Sequence, residues 1–259
     1  MAHFAPTFSV LGDSISTFQG FCPVGAEHYA PDTGAATGVC TVEDTWWMQV
    51  IRGLGGRFLS NQSISGNTIS PAGTMGGFSP KRLRALAVEG QGPEHILLYA
   101  GLNDANFGIP LDVFAREYGN LLATLGEYYP QAQVHCGTLV LGAIPGTVNS
   151  MACFVQRLVP YNEAIRAAVA QAGCHLVDLA ATGQRYDALD AFHPNGNGMA
   201  QLARLWLGEM GTISLPRGKI FSIFFALPPG SCYNKELEKS TAEKDGESGA
   251  SATSFSPNV

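Results

Sequence analysis

Residues 8–16 read Phe8-Ser9-Val10-Leu11-Gly12-Asp13-Ser14-Ile15-Ser16. A short apolar run stops at Gly-Asp-Ser. A run of this length, ended by glycine, predicts a buried strand followed by a sharp turn. A serine placed where a strand stops can point its hydroxyl into the crevice above a sheet. Taken alone, Ser14 reads equally well as a turn or helix-capping serine.

Working outward, strand-like and helix-like segments alternate. Residues 45–54 carry Trp46, Trp47, Val50, Ile51 and Leu54 at helical spacing. A second strand is expected at 57–59. Ser79 before Pro80 predicts an N-cap and first helical residue, opening a helix through 88. A buried strand is expected at 95–100, then a helix over 111–128 with its stripe at Leu111, Phe114, Tyr118, Leu121, Leu122 and Leu125. Further strands are expected at 133–140 and 174–179, and helices at 155–172 and 197–210. Such alternation predicts an α/β fold with a parallel sheet of about five strands, covered on both faces. Ligands in such sheets bind beyond the carboxyl ends of the strands.

Three further motifs fall at those ends. The second strand leads into Gly66-Asn67-Thr68, and the third into Gly101-Leu102-Asn103-Asp104. Asp190-Ala191-Phe192-His193-Pro194 precedes the last helix. A serine hydroxyl is a weak nucleophile until a base takes its proton. A histidine can be that base when a carboxylate holds its other ring nitrogen, and Asp190 lies three residues before His193. Attack on an ester carbonyl builds negative charge on its oxygen, which needs fixed donors. A glycine N–H and an asparagine amide are suitable donors. Each motif alone is also an ordinary strand-to-helix loop. Jointly they supply nucleophile, base, orienter and donors at one edge of one sheet.

In this order the four motifs resemble the blocks of the SGNH (GDSL-type) hydrolases: Gly-Asp-Ser-x-Ser, a glycine after the second strand, Gly-x-Asn-Asp, and Asp-x-x-His-Pro. The resemblance spans about residues 8–210. It implies a flavodoxin-like three-layer α/β/α sandwich. It also implies Ser14 as nucleophile, His193 as base and Asp190 as its partner, with the Ser14 N–H, the Gly66 N–H and the Asn103 side chain forming an oxyanion hole. The Gly-x-Ser-x-Gly elbow of α/β-hydrolases is absent. Phosphate-binding glycine loops and His-Glu-x-x-His are absent too, and neither a cofactor nor a metal is implied.

Residues 18–44 form a long insert directly after the nucleophile turn. Loops of this length are commonly functional, and this one is expected to wall the pocket. Phe18, Tyr29 and Trp46 are the candidate substrate-facing aromatics. The Gly-Asp-Ser-Ile-Ser-Thr-Phe start, the Pro- and Tyr-bearing insert and Thr45-Trp46-Trp47 more loosely resemble bacterial carbohydrate O-acetyl esterases. That implies removal of small acyl groups, with acetyl on a sugar favoured. Lysophospholipid or thioester hydrolysis is the alternative, as is a binding domain of the same fold without turnover.

The chain has 259 residues and a formal net charge of −6. An acidic balance argues against nucleic acid as partner and fits a small-molecule or glycan ester. Six cysteines occur without a Cys-x-x-Cys pair, so free thiols in a cytoplasmic protein are expected. No signal peptide and no membrane span are read from the sequence. The hydrolase domain is expected over 1–211, an apolar extension over 212–229, and a disordered tail over 230–259, whose Ser, Glu, Lys and Gly cannot bury enough surface. Oligomeric state is left open.

Overall fold

The computed structural model describes residues 5–71, 76–146 and 152–212. Nearly all of the expected apolar extension and the whole expected tail lie outside the described residues. In chain order the strands are β1 (Thr7–Gly12), β2 (Arg57–Asn61), β3 (His95–Tyr99), β4 (Gln133–Gly137), β5 (Gly142–Ala143), β6 (His175–Val177) and β7 (Tyr186–Asp187). The helices are α1 (Gly34–Thr37), α2 (Trp46–Gly53), α3 (Pro80–Arg84), α4 (Leu102–Phe107), α5 (Leu111–Tyr128), α6 (Ala152–Ala172) and α7 (Gly196–Thr212).

Five strands form one parallel sheet in the order β2-β1-β3-β4-β6. β1 lies inside the sheet and all six of its residues are buried. From β1 the chain steps to β2 on one side, then crosses back over β1 to β3 and continues outward through β4 to β6 on the other. This reversal is the topological switch point, where the crevice of an open α/β sheet lies. Ser14 leaves β1 at that point.

Two helical layers cover the sheet. A Cβ on Gly137 would lie 2.6 Å from the Trp206 ring of α7. Its neighbour Cys136 interacts with Tyr118 of α5. Successive strand residues face opposite sides, so α7 and α5 lie on opposite faces. α2 packs on α7, and α5 on α6. The α2–α7 seam is aromatic: Trp46 stacks on Trp206 at 4.7 Å and meets Tyr99 edge-on at 5.7 Å. Such pairs add about 0.5–1.5 kcal/mol beyond area burial.

The expected elements are found, with altered ends. α3 stops at Arg84 rather than 88, because residues 88–91 close a tight turn. Val88 and Gln91 exchange backbone hydrogen bonds at 3.0 and 2.9 Å. Glu89 and Gly90 both have positive φ, as type I′ turns require. β4 stops at Gly137 because the Asn162 amide takes over both backbone groups of Leu139, at 2.7 and 2.9 Å. β6 ends at Val177, and the Asp178 carboxylate accepts from Ala181 N–H to cap a short 3-10 turn, Leu179–Thr182. The segment after Gly101, expected as a loop, is the short helix α4.

The thiol expectation is corrected in the insert. Cys22, Cys136 and Cys174 are free, but Cys40 in the insert is disulfide-bonded. Pairing depends on Cα separation in the fold, which spacing along the chain does not reveal. No helix among the described residues is long and apolar enough to cross a membrane.

Candidate active site

The β1 turn is built by close packing. Gly12 has no room for a side chain, since a Cβ would lie 2.7 Å from both Ser16 Oγ and Tyr99 O. Asp13 accepts from Ile15 N–H at 3.1 Å and caps the 3-10 turn Ser14–Ser16. Burial pushes the Asp13 carboxyl up to about 7, although the Ile15 N–H and the nearby His193 oppose that rise. Thr17 closes the turn by donating its hydroxyl to Ser14 O at 2.9 Å.

Ser14 Oγ lies 2.8 Å from His193 Nε2, and His193 Nδ1 lies 2.8 Å from Asp190 Oδ2. A carboxylate accepts only, so Nδ1 carries the proton toward Asp190. Nε2 is then free to accept from the serine hydroxyl. The other oxygen of Asp190 accepts the backbone N–H groups of Phe192 and His193, both at 2.7 Å. Burial pushes the Asp190 carboxyl up. The hydrogen bonds from His193 and from these two N–H groups outweigh it and hold the group well below the usual carboxylate range.

The loop bearing Asp190 and His193 is pinned at several points. Leu189 N–H donates to His193 O at 2.8 Å, and Ala188 bridges Pro194. Gly142 N–H donates to Ala191 O at 3.0 Å, and the Tyr186 hydroxyl to Phe192 O at 2.6 Å. Gly142 and Tyr186 belong to the small β5–β7 ladder, which sequence reasoning missed because two-residue strands carry no periodicity.

The turn after β2 is tied to the nucleophile turn. Ile64 N–H donates to Gly12 O at 3.2 Å, and the Asn61 amide to Ser16 O at 2.7 Å. Asn67 N–H closes the turn on Ile64 O at 3.1 Å. Gly66 within it has φ 75°, a conformation that favours glycine. Asn103 on α4 donates its amide to Asn67 O at 2.8 Å, which uses one of its two N–H groups. Neither Ser14 N–H nor Gly66 N–H has an acceptor among the described residues. Asp104 is fully buried and accepts from Ile69 N–H at 2.8 Å and Ser70 N–H at 3.0 Å. It thereby fixes α4 to the chain beyond Gly66.

Sequence reasoning also missed Arg82. Its guanidinium donates to Asn67 Oδ1 at 2.6 Å, to Gln62 O, and to Gly77 O at 3.3 Å, and it lies over the Phe78 ring at 4.5 Å. Burial lowers it to about 10. The only prior signal was its place on the first turns of a helix behind the turn carrying Gly66. Among the described residues no group of three or more His, Cys, Asp or Glu is arranged to hold a metal ion.

Ser14, Asp190 and His193 come together, and the Gly66 and Asn103 segments border them. The three aromatics expected to face substrate are placed differently. Phe18 is 3% exposed, and Tyr29 and Trp46 are fully buried. Trp46 donates to Ser16 Oγ at 3.3 Å and spends its faces on Trp206 and Tyr99. Tyr29 donates its hydroxyl to Pro194 O at 2.8 Å. These rings back the site rather than line it, because the nucleophile turn sits on the α2–α7 side of the core. The insert residue that reaches the site is His28, whose ring lies flat on that of His193 with centroids 3.9 Å apart.

Comparison with solved structures gives the same architecture. A GDSL-like lipase from Bacteroides ovatus ATCC 8483 superposes with a TM-score of 0.62 at 23% identity, covering 81% of this chain and all of that one. A carbohydrate esterase family 2 enzyme with a carbohydrate-binding domain, from Corynascus thermopiles, gives 0.54 at 17% identity, covering 82% of this chain and 69% of that one. The psychrotrophic esterase EstA from Pseudoalteromonas sp., in a structure inhibited by monoethylphosphonate, gives 0.51 at 19%, covering 80% and 97%. At these identities the likeness establishes the fold. No curated protein matches the sequence significantly. The profile of the GDSL-like lipase/acylhydrolase family matches residues 10–201, from the middle of β1 into α7. The chain belongs to the GDSL-like lipase/acylhydrolase family and is a serine hydrolase of carboxylic esters.

Proposed function

We propose that the chain removes small acyl groups, acetyl foremost, from hydroxyls of a carbohydrate through an acyl-enzyme on Ser14. Ser14 Oγ attacks the ester carbonyl carbon while its proton passes to His193 Nε2. The carbonyl oxygen takes up the negative charge, held by Ser14 N–H, Gly66 N–H and the second N–H of the Asn103 amide. Collapse breaks the bond to the alcohol, which leaves with the proton from His193. Water then attacks the acyl-enzyme with His193 again as base, releasing the acid and restoring Ser14.

The observation that carries the reaction is the continuous chain of contacts Ser14 Oγ–His193–Asp190, 2.8 Å at each link, beside donors without acceptors. The small-acyl reading rests on the insert. Ser65 N–H donates to Ala26 O at 2.8 Å, His28 N–H to Thr17 Oγ1 at 2.8 Å, and Tyr29 OH to Pro194 O. The insert is thus tied to the donor turn, the nucleophile turn and the base loop, and a wall fixed at three points beside Ser14 is what supports a small acyl group over a long one. An apolar groove of about 610 Å³ between α5 and α6 contains none of the site residues. The carbohydrate half of the reading is supported by the family 2 carbohydrate esterase likeness.

One observation favours a longer acyl chain. Phe107, at the end of the helix that begins beside Asn103, is 54% exposed. The experiment compares acetate release from acetylated sugars with hydrolysis of p-nitrophenyl esters of rising chain length. Activity that peaks at acetate supports the proposal, and a peak at eight carbons or more moves the assignment to lipid or thioester substrates. Ser14→Ala is expected to abolish turnover of p-nitrophenyl acetate in a folded protein. Retained turnover would remove Ser14 as nucleophile.

A further inference from the structure

His28 sits in the insert, 165 residues from His193 in sequence. Its ring is parallel to that of His193, 16° between planes, with centroids 3.9 Å apart. That is the closest ring pair among the described residues. The contact is held from both sides. Behind His28, its backbone N–H donates to Thr17 Oγ1, and Thr17 in turn donates to Ser14 O. One residue on, the Tyr29 hydroxyl holds Pro194 O, adjacent to His193, and the Tyr29 ring meets the His28 ring edge-on at 4.7 Å. Thr17, His28 and Tyr29 thus join the nucleophile turn to the base loop on a path that bypasses the Ser14–His193 hydrogen bond.

We infer that His28 is a positioning residue whose neutral ring, stacked on His193, keeps that imidazole in the plane that serves both Ser14 and Asp190. The inference rests on the reading of His193 as base. A histidine ring turns about its Cβ–Cγ bond over a broad range, and a single hydrogen bond at each nitrogen still tolerates some of that rocking. A flat surface against one face removes that freedom. The stack also bears on charge. During attack His193 becomes an imidazolium, and a neutral ring face is a favourable neighbour for a cation, whereas a second cation is not. The charged and titratable groups around the His28 ring are His193, Asp190 and the Tyr29 hydroxyl. Burial, reinforced by His193 and opposed by Asp190, pushes His28 down to about 4. It is therefore largely neutral from pH 5 upward.

The test uses the full chain and p-nitrophenyl acetate, with kcat and KM measured from pH 5 to 9 for three variants. His28→Ala removes the surface and is expected to lower kcat about tenfold or more, as small misplacements of reacting groups do, with KM within about twofold. His28→Phe restores a neutral flat ring and is expected to recover kcat to within about threefold of wild type. His28→Arg keeps a planar group but fixes a positive charge against His193. It is expected to shift the acidic limb of kcat/KM to lower pH. Circular dichroism and thermal unfolding verify the fold of each. A folded His28→Ala with wild-type kcat, a folded His28→Phe no better than the alanine variant, or an unmoved limb in folded His28→Arg overturns the inference. Ser14→Ala, run alongside, separates this failure from failure of the site assignment: if Ser14→Ala retains turnover, the nucleophile is wrong whatever His28 does.

Discussion

The side-chain amide of Asn103 donates to the backbone carbonyl of Asn67 at 2.8 Å. This bond joins the ends of β3 and β2 across β1, and it aims the remaining N–H of the amide. Asn67 is itself held through its side chain by Arg82, so the amide proposed as a donor is held in place from both sides of that bond. Such preorganised donors give the largest single electrostatic contribution in acyl transfer. Asn103→Ala is expected to lower kcat by roughly 10²–10³-fold, with KM nearly unchanged. Steady-state kinetics on p-nitrophenyl acetate decide it, and an unchanged kcat removes Asn103 from the oxyanion site.

Asp190 accepts one side-chain and two backbone hydrogen bonds within four residues of chain. Its folded value lies below the ordinary 3.8. The stability this contributes is present above about pH 4 and is lost as pH falls through the folded value. No activity change between pH 5 and 8 therefore comes from Asp190. Asp190→Asn is expected to cut kcat by roughly 10⁴-fold, since an amide can present its N–H to Nδ1 and invert the tautomer. The loss is expected to be the same at pH 6 and pH 8. A deficit that disappears at either pH would assign Asp190 a titrating role instead.

Asp104 shows how a motif residue can serve the site without touching it. Both carboxylate oxygens take backbone N–H groups, from Ile69 and Ser70, in a position with no solvent exposure. An asparagine there has one acceptor oxygen, and its NH2 group would face the second N–H. A buried donor left unsatisfied costs about 1–3 kcal/mol. Asp104→Asn is expected to lower stability by about that much, read as a shift of the urea midpoint at constant slope. Loss of stability below about 0.5 kcal/mol would mean that the Ile69–Ser70 segment finds other acceptors.

The legible parts of this chain were those with a local signature. The stripe from Leu111 to Leu125 needs only its own spacing, and the helix it predicts matches the observed bounds. Gly12-Asp13-Ser14 and Asp190 to His193 announce strand end and loop because glycine, aspartate and proline act on their own backbone. Two kinds of feature were hidden. β4 was overextended because nothing near Leu139 says that Asn162, twenty-three residues on, will take its backbone bonds. The sequence does not show that Trp46 and Tyr29 face inward, because an aromatic residue does not say which side of it is filled. Trp206 and Pro194 fill those places, and both are more than 150 residues away. His28 is visible in the sequence only as one ring-bearing residue of the insert, since its stacking partner His193 comes from the far end of the domain.

A second histidine group gives a prediction about stability alone. His95 Nδ1 lies 3.1 Å from His135 Nε2, and the His135 ring stacks on His175 at 5.0 Å. The three come from neighbouring strands β3, β4 and β6. His135 is 1% exposed, and its Nδ1 has no partner among the described residues. Burial, with the charges of His95 and His175 adding to it, pushes His135 down to about 3 from an ordinary 6.5. The unfolded chain takes up a proton below about pH 6.5 that the folded chain refuses. Folding is therefore weakened by about 1.4 kcal/mol for each pH unit between 6.5 and the folded value. Asp13 and Asp104, both raised by burial, act in the opposite sense over the same window. The useful measurement is thus the difference between wild type and His135→Gln, in which their contributions cancel. Glutamine can still reach His95 but does not titrate. Its urea midpoint is expected to fall less than that of wild type between pH 6.5 and pH 4.5. Parallel curves would mean that His135 is not the group that resists protonation in the folded chain.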